Sequence, residues 1–174
     1  MKKALPCLIM IAIFTALVYV FSQEFTYVEA DQCKVCHTAE NIGKQFPLWE
    51  SSLHSQAFEL LDSKKAFDTA IHNGVRDLPT ESRECLKCHA PLYENSEELK
   101  QEGVTCEVCH GPGSAYKSLY RMKIREEAIK YGLTEYNSPE EIRKSCVECH
   151  GNEGFDFKSA WEIIKHPVPV NEKD

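Results

Sequence analysis

The pattern C-x-x-C-H occurs four times in this chain, at Cys33/Cys36/His37, Cys85/Cys88/His89, Cys106/Cys109/His110 and Cys146/Cys149/His150, and it takes up eight of the nine cysteines. Two thiols at this spacing with an imidazole directly behind them are the sequence form of covalent haem attachment. The thiols form thioethers to the two vinyl groups of one porphyrin, and the imidazole binds the iron from the proximal side. A disulfide scaffold gives no reason for a histidine after every pair. Zinc sites take two such pairs per metal and do not need the trailing imidazole. Iron–sulfur clusters use four thiolates at different spacings. The pattern therefore implies four covalently bound haems c.

Four porphyrins in a chain of 174 residues leave few side chains per haem. The haems must then form most of the apolar core, with the polypeptide as a wrapper. The expected fold is mainly α with extensive loops, a compact multihaem c-type cytochrome whose core is formed by four haems. The length suits one domain and not two.

Lys2 and Lys3 precede an apolar run over residues 4–21, the layout of an export signal. Cleavage after Ala30 would leave residues 31–174 as the tetrahaem domain, with 1–30 as signal peptide. The run is also long enough for a short membrane span, so residues 1–30 read equally as an uncleaved N-terminal anchor. Both readings place the haem-bearing part outside the cytoplasm, in the periplasm or at the cell exterior, because the two lysines hold the N-terminus inside. Cys7 lies within the apolar run and reads as a small apolar residue.

Residues 1–30 carry two Lys and two Glu, so the remainder keeps the whole chain's net charge of −7. That acidity argues against nucleic acid as a partner and for docking on basic patches of redox proteins.

Helical periodicity is strongest over residues 47–71, opened by Pro47, where Ser51, His54, Ala57, Phe58 and Leu61 share one face. A second helix is expected over 115–131, stopped by Gly132. A third begins at Ser138, with Pro139 next and Glu141 completing a capping box, and carries the last motif. The prolines of the "KHPVPV" tail preclude regular helix.

A second axial ligand on each iron decides between electron transfer and small-molecule chemistry. Seven histidines are present, and four follow motif cysteines, which leaves His54, His72 and His166 for four distal positions. Met122, the one methionine outside the leading segment, is a candidate thioether ligand for the remaining iron. Gly111 and Gly113, on either side of Pro112, read as a turn kept free of side chains so that a porphyrin can approach.

The motif spacing, "LWESSLHSQAF" after the first motif and "GVTCEVCHGPGSAY" at the third resemble the tetrahaem cytochrome c-554 family, over residues 31–166. The resemblance implies that His54 lies opposite His110 and that His166 reaches back to the haem opposite His37. It also implies that the second-motif haem has only His89, and that haems stack in close pairs. Family members place a further histidine soon after the "HGPG" turn. This chain has Tyr116 and Tyr120 there, so the distal side of the haem at Cys146/Cys149 is open to Met122 or to His72, which can serve either this haem or the one at Cys85/Cys88.

The functional expectation is an extracytoplasmic carrier that passes electrons between redox partner proteins in respiration, and not an enzyme. The alternatives are a small reductase of nitrogen oxides at an open haem, with His72, Tyr116, Tyr120 or Tyr136 as proton donors, or a subunit of a haem filament or membrane redox complex completed by like subunits or a neighbour's ligand.

Overall fold

The computed structural model describes residues 24–167, and every regular element among them is helical. In chain order the α-helices are α1 Asp31–His37, α2 Gln45–Glu50, α3 Lys64–His72, α4 Arg83–His89, α5 Glu97–Gln101, α6 Cys106–His110, α7 Leu119–Met122, α8 Arg125–Lys130, α9 Pro139–His150 and α10 Phe157–Ile164, with 3-10 turns at Glu40–Ile42 and Glu59–Asp62. The expectation of a mainly helical, loop-rich fold holds. Among the described residues no helix is long and apolar enough to cross a membrane. The apolar run over 4–21, and with it the signal-or-anchor question and Cys7, lies outside the described residues.

Each motif occupies the end of a helix: α1, α4, α6 and α9 all terminate on the motif histidine. One helical turn carries residues i, i+3 and i+4 on a common face, so both thiols and the imidazole of each motif face the same way. Local capping explains where the later two of these helices begin. The Thr105 hydroxyl accepts from the Glu107 amide at the start of α6. Ser138 accepts from the Glu141 amide at 3.3 Å, the anticipated N-cap contact, while the Glu141 carboxylate accepts from Asn137 N at 2.7 Å, one residue before the amide that a capping box would use.

The long helix expected over 47–71 is not continuous. It breaks after Glu50 and resumes at Lys64, where Ser63 caps α3 by accepting from the Ala66 amide. Serine hydroxyls compete with the helical ladder, and here Ser51 donates to Leu48 O while Ser55 donates to Glu50 O and Ser52 O. The helix expected over 115–131 likewise splits into α7 and α8, with Gly132 as the stop at φ +110°.

The broken stretch docks elsewhere. Val104 N donates to His54 O and the Trp49 indole donates to Val104 O, both at 2.9 Å, which clasps residues 49–54 against the approach to the third motif. Gly103 makes this possible. It has φ +70°, and a Cβ there would sit 2.8 Å from His54 O and 3.2 Å from the amide nitrogens of Ala57 and Phe58.

The protein core is thin. Phe58, Leu61, Leu86 and Ala90 form a small buried cluster, with Cys85 and Tyr93 packed on it. Helices α1 and α9 bury none of their side chains, and Val35, inside the first motif, is 84% exposed. Two of the motif helices therefore have faces that the polypeptide does not cover.

Candidate haem-binding site

The fold gathers the motifs in an order different from the sequence. The Cys33 and Cys106 thiols are close neighbours, joining motifs one and three. Cys109 lies within electrostatic reach of Cys146, joining three and four. Cys149 lies beside Cys88 and its thiol approaches Lys87 O at 3.9 Å, joining four and two. The spatial succession is one, three, four, two. All eight cysteines are free thiols. The neighbouring Cys33 thiol and then burial raise the Cys106 thiol, burial raises Cys109 and Cys146 and pushes Cys149 up to about 12, and Cys33 is lowered by its Cys106 neighbour. Among the described residues no three His, Cys, Asp or Glu side chains converge as a metal cage. The donor set of two thiols and one imidazole on an uncovered helical turn fits a haem.

The distal candidates separate into two groups. His54 and His150 face each other with ring centroids 6.1 Å apart, and His110 and His166 at 5.7 Å. Two imidazoles binding one metal through nitrogens about 2 Å from it have centroids roughly 6 Å apart, so both pairs leave room for an iron between them. Burial holds the His54 imidazole below its ordinary range, with His150 as the next cause. His110 is pushed down to about 4 by burial, then by His166 and His37. Neutral imidazole is the form that ligates metal.

This pairing differs from the one the resemblance implied. His54 faces His150 instead of His110, and His166 faces His110 instead of His37. The physical reason is that His54 docks on the third motif through its backbone carbonyl, held by Val104 N, while its ring extends to the fourth. The fourth motif thereby gains a neighbouring imidazole that had been assigned elsewhere. Met122 is 37% exposed on α7, and His72 is exposed at the end of α3 beside Lys64, Lys65, Asp68 and Thr69 of its own helix.

The outer nitrogens of two proximal histidines are also held. His89 Nδ1 lies 2.8 Å from Ala57 O, and His37 Nδ1 lies 3.1 Å from Gln45 Oε1. Such partners fix the tautomer and leave Nε2 for the iron. The His150 ring stacks on Phe155, centroids 4.8 Å apart at 12°. Sequence reasoning missed Gln45 and Phe155, because neither belongs to a motif and their contacts depend on how loops return.

The Gly-Pro-Gly turn meets polypeptide where a porphyrin had been expected. Gly111 has φ +77°, and a Cβ on it would lie 2.5 Å from Gly132 O; Thr134 N donates to His110 O at 2.9 Å in the same clasp. Tyr116 is buried and donates to Gly111 O at 3.0 Å, Tyr136 donates to Cys109 O at 3.1 Å, and Tyr120 is exposed. The first two tyrosines brace the turn and the third motif.

Two carboxylates fasten the segment that leads into the first motif. Glu107, 3% exposed although it stands inside the third motif, accepts from Val28 N at 2.7 Å and from Gly113 N. Both Glu102 oxygens lie 3.0 Å from Ala30 N. Burial raises both carboxyls, Glu102 to about 7, where neighbouring Glu29, Asp31 and Glu107 add to the effect.

Comparison with known proteins gives two likenesses to c-type cytochromes. The family described as "Cytochrome c554 and c-prime" matches residues 32–111, a span that holds the first three motifs. Cytochrome c-554 of Nitrosomonas europaea is 27% identical over 146 residues, covering 74% of this chain and 60% of the relative's length. No solved structure gives a significant match. Four C-x-x-C-H helix ends among the described residues, together with these two likenesses, make the chain similar to the cytochrome c-554 family of c-type cytochromes, a likeness that implies covalently bound haem c.

Proposed function

We propose that this chain is an exported tetrahaem cytochrome c, a periplasmic or extracellular carrier that moves electrons between respiratory redox partners. The supporting observation is the gathering of all four motifs into one contiguous succession, with motifs one and three joined through Cys33 and Cys106 and motifs four and two through Cys149 and Cys88. Haem, when bound, supplies a one-electron iron couple whose potential depends on axial ligands, hydrogen bonds and burial.

In this reading Cys33, Cys36, Cys85, Cys88, Cys106, Cys109, Cys146 and Cys149 attach four haems, and His37, His89, His110 and His150 are the proximal ligands. His54 supplies the second imidazole for the fourth motif and His166 for the third. The chain's own work is to hold these imidazoles neutral and oriented and to keep neighbouring motifs in contact. The name of the Nitrosomonas europaea relative supports a cytochrome role. The acidic surface suits partners with basic docking patches.

A second reading, reduction of nitric oxide, nitrite or hydroxylamine at an open haem, draws on the exposed position of His72 and on the resemblance, which gives the second-motif haem only His89.

The test is mass spectrometry for haem count together with low-temperature EPR of the oxidised holoprotein. Four haem masses, with low-spin signals from the third and fourth motifs, are expected. Fewer than four haems would overturn the tetrahaem reading. A high-spin signal that is lost on adding nitric oxide, with turnover of that substrate, would replace the carrier with the reductase.

A further inference from the structure

The geometry points to Gln45 as a positioning residue that holds an imidazole of the first motif and the distal imidazole of the third with one side-chain amide. The inference rests on the haem ligation proposed above for His37 and His166.

The amide has two ends, and each is used. Its Oε1 lies 3.1 Å from His37 Nδ1, so it accepts the ring proton and leaves His37 Nε2 as the free nitrogen. Its Nε2 donates to Pro167 O at 2.9 Å and also to Ile42 O. That Pro167 carbonyl in turn lies 3.5 Å from His166 Nδ1, so the outer face of the His166 ring turns toward it. The His166 ring is the one beside His110. Gln45 thus connects the first-motif histidine to the tail that places the third motif's second histidine, and it does so between the two motifs whose thiols are close neighbours.

The surroundings are built for this contact. Gly43, at φ +104°, lets the tail approach; a Cβ there would lie 2.6 Å from Pro167 O. Lys44 follows at φ +51°, the one non-glycine residue with positive φ among the described residues, and the turn brings Gln45 back toward α1. Phe46, next in sequence, is buried and packs on Trp49 with centroids 5.4 Å apart, which gives the amide a fixed base. A carboxamide provides an acceptor and a donor on two separate atoms of one planar group, as these two contacts require. Glutamate keeps the acceptor and loses the donor, and leucine loses both.

The experiment compares the full-length oxidised holoprotein with its Gln45→Leu and Gln45→Glu variants by haem mass, EPR and potentiometric titration. Gln45→Leu is expected to keep the wild-type haem count and to lose one low-spin haem equivalent, because the tail no longer holds His166 beside His110. It should also raise the midpoint potential of the first-motif haem, as His37 loses its acceptor. Gln45→Glu is expected to lower that same potential, since a carboxylate draws the ring proton more strongly and makes His37 a more basic ligand. A merely structural role would reduce thermal stability in both variants and would not reverse the sign of the potential shift. Potentials and low-spin intensity unchanged in both variants, or shifted in one direction by both, would overturn the inference while leaving the tetrahaem reading intact. A wild-type chain without haem on Cys33 and Cys36 would instead bring down the reading on which it rests.

Discussion

Replacement of Gly103 by alanine tests whether the clasp between the broken 47–71 segment and the third motif places His54. The cost has two parts. An alanine held at φ +70° is in the left-handed region, which costs about 1–2 kcal/mol for a residue with a Cβ. The added methyl would also lie 2.8 Å from His54 O and 3.2 Å from two amide nitrogens, all backbone atoms that cannot rotate away. Overpacking of this kind costs about 1–3 kcal/mol. The sum is about 3 kcal/mol, or a fall in Tm of about 6–12 °C at about 2–4 °C per kcal/mol for a domain of this size. Gly74 is the internal control, with φ +72° but nothing within 4 Å of its built Cβ. Gly74→Ala therefore carries only the conformational part, about 1–2 kcal/mol. Thermal unfolding of the holoprotein followed by absorbance reads the difference, and EPR reads the ligand. Gly103→Ala should fall further than Gly74→Ala and should lose low-spin intensity at the fourth-motif haem, because the displaced His54 carbonyl carries its ring away from His150. Equal Tm values for the two variants, or an unchanged EPR spectrum in Gly103→Ala, would refute the argument that this glycine positions the ligand.

Three further outcomes follow from the site. His54→Ala should keep all haem masses while converting the fourth-motif haem to high spin, a change that added imidazole reverses; a low-spin loss at the third motif would restore the pairing implied by the family resemblance. Glu102→Gln should alter the pH profile of stability: burial raises the Glu102 carboxyl to about 7 from the ordinary carboxylate value, so its contribution is full below about 4.5 and lost as pH rises through about 7. The variant, which cannot ionise, should match wild type at acid pH and exceed its Tm at pH above about 7, and parallel Tm curves would contradict the assignment. Tyr116→Phe removes the donation to Gly111 O and should cost about 1 kcal/mol in thermal unfolding with unchanged redox spectra, whereas a proton-donor role would show instead as altered nitric oxide or hydroxylamine turnover.

Much of the chemistry was legible because it is local. A C-x-x-C-H turn holds two thiols and an imidazole within one helical turn, so its residue types and spacing identify the cofactor without knowledge of the fold. Helix ends that depend on a neighbouring side chain, such as the Ser138 cap, were equally readable. The 47–71 helix was misread for a physical reason: its apolar spacing favours a helix, but the Ser51 and Ser55 hydroxyls and the Val104–His54 hydrogen bond, which closes 50 residues of chain, favour the break.

The sequence alone determined the four C-x-x-C-H motifs on which the proposed attachment residues and proximal imidazoles rest, the helical and loop-rich class and the small number of further histidines, since each is a matter of composition or of spacing within a few residues. Tertiary structure alone decided which motifs are neighbours, that His54 faces His150 and His166 faces His110, and that Gln45 reaches both His37 and Pro167. Those contacts join residues separated by up to 122 positions, and the order in which loops return to a thin core is not encoded in any local period.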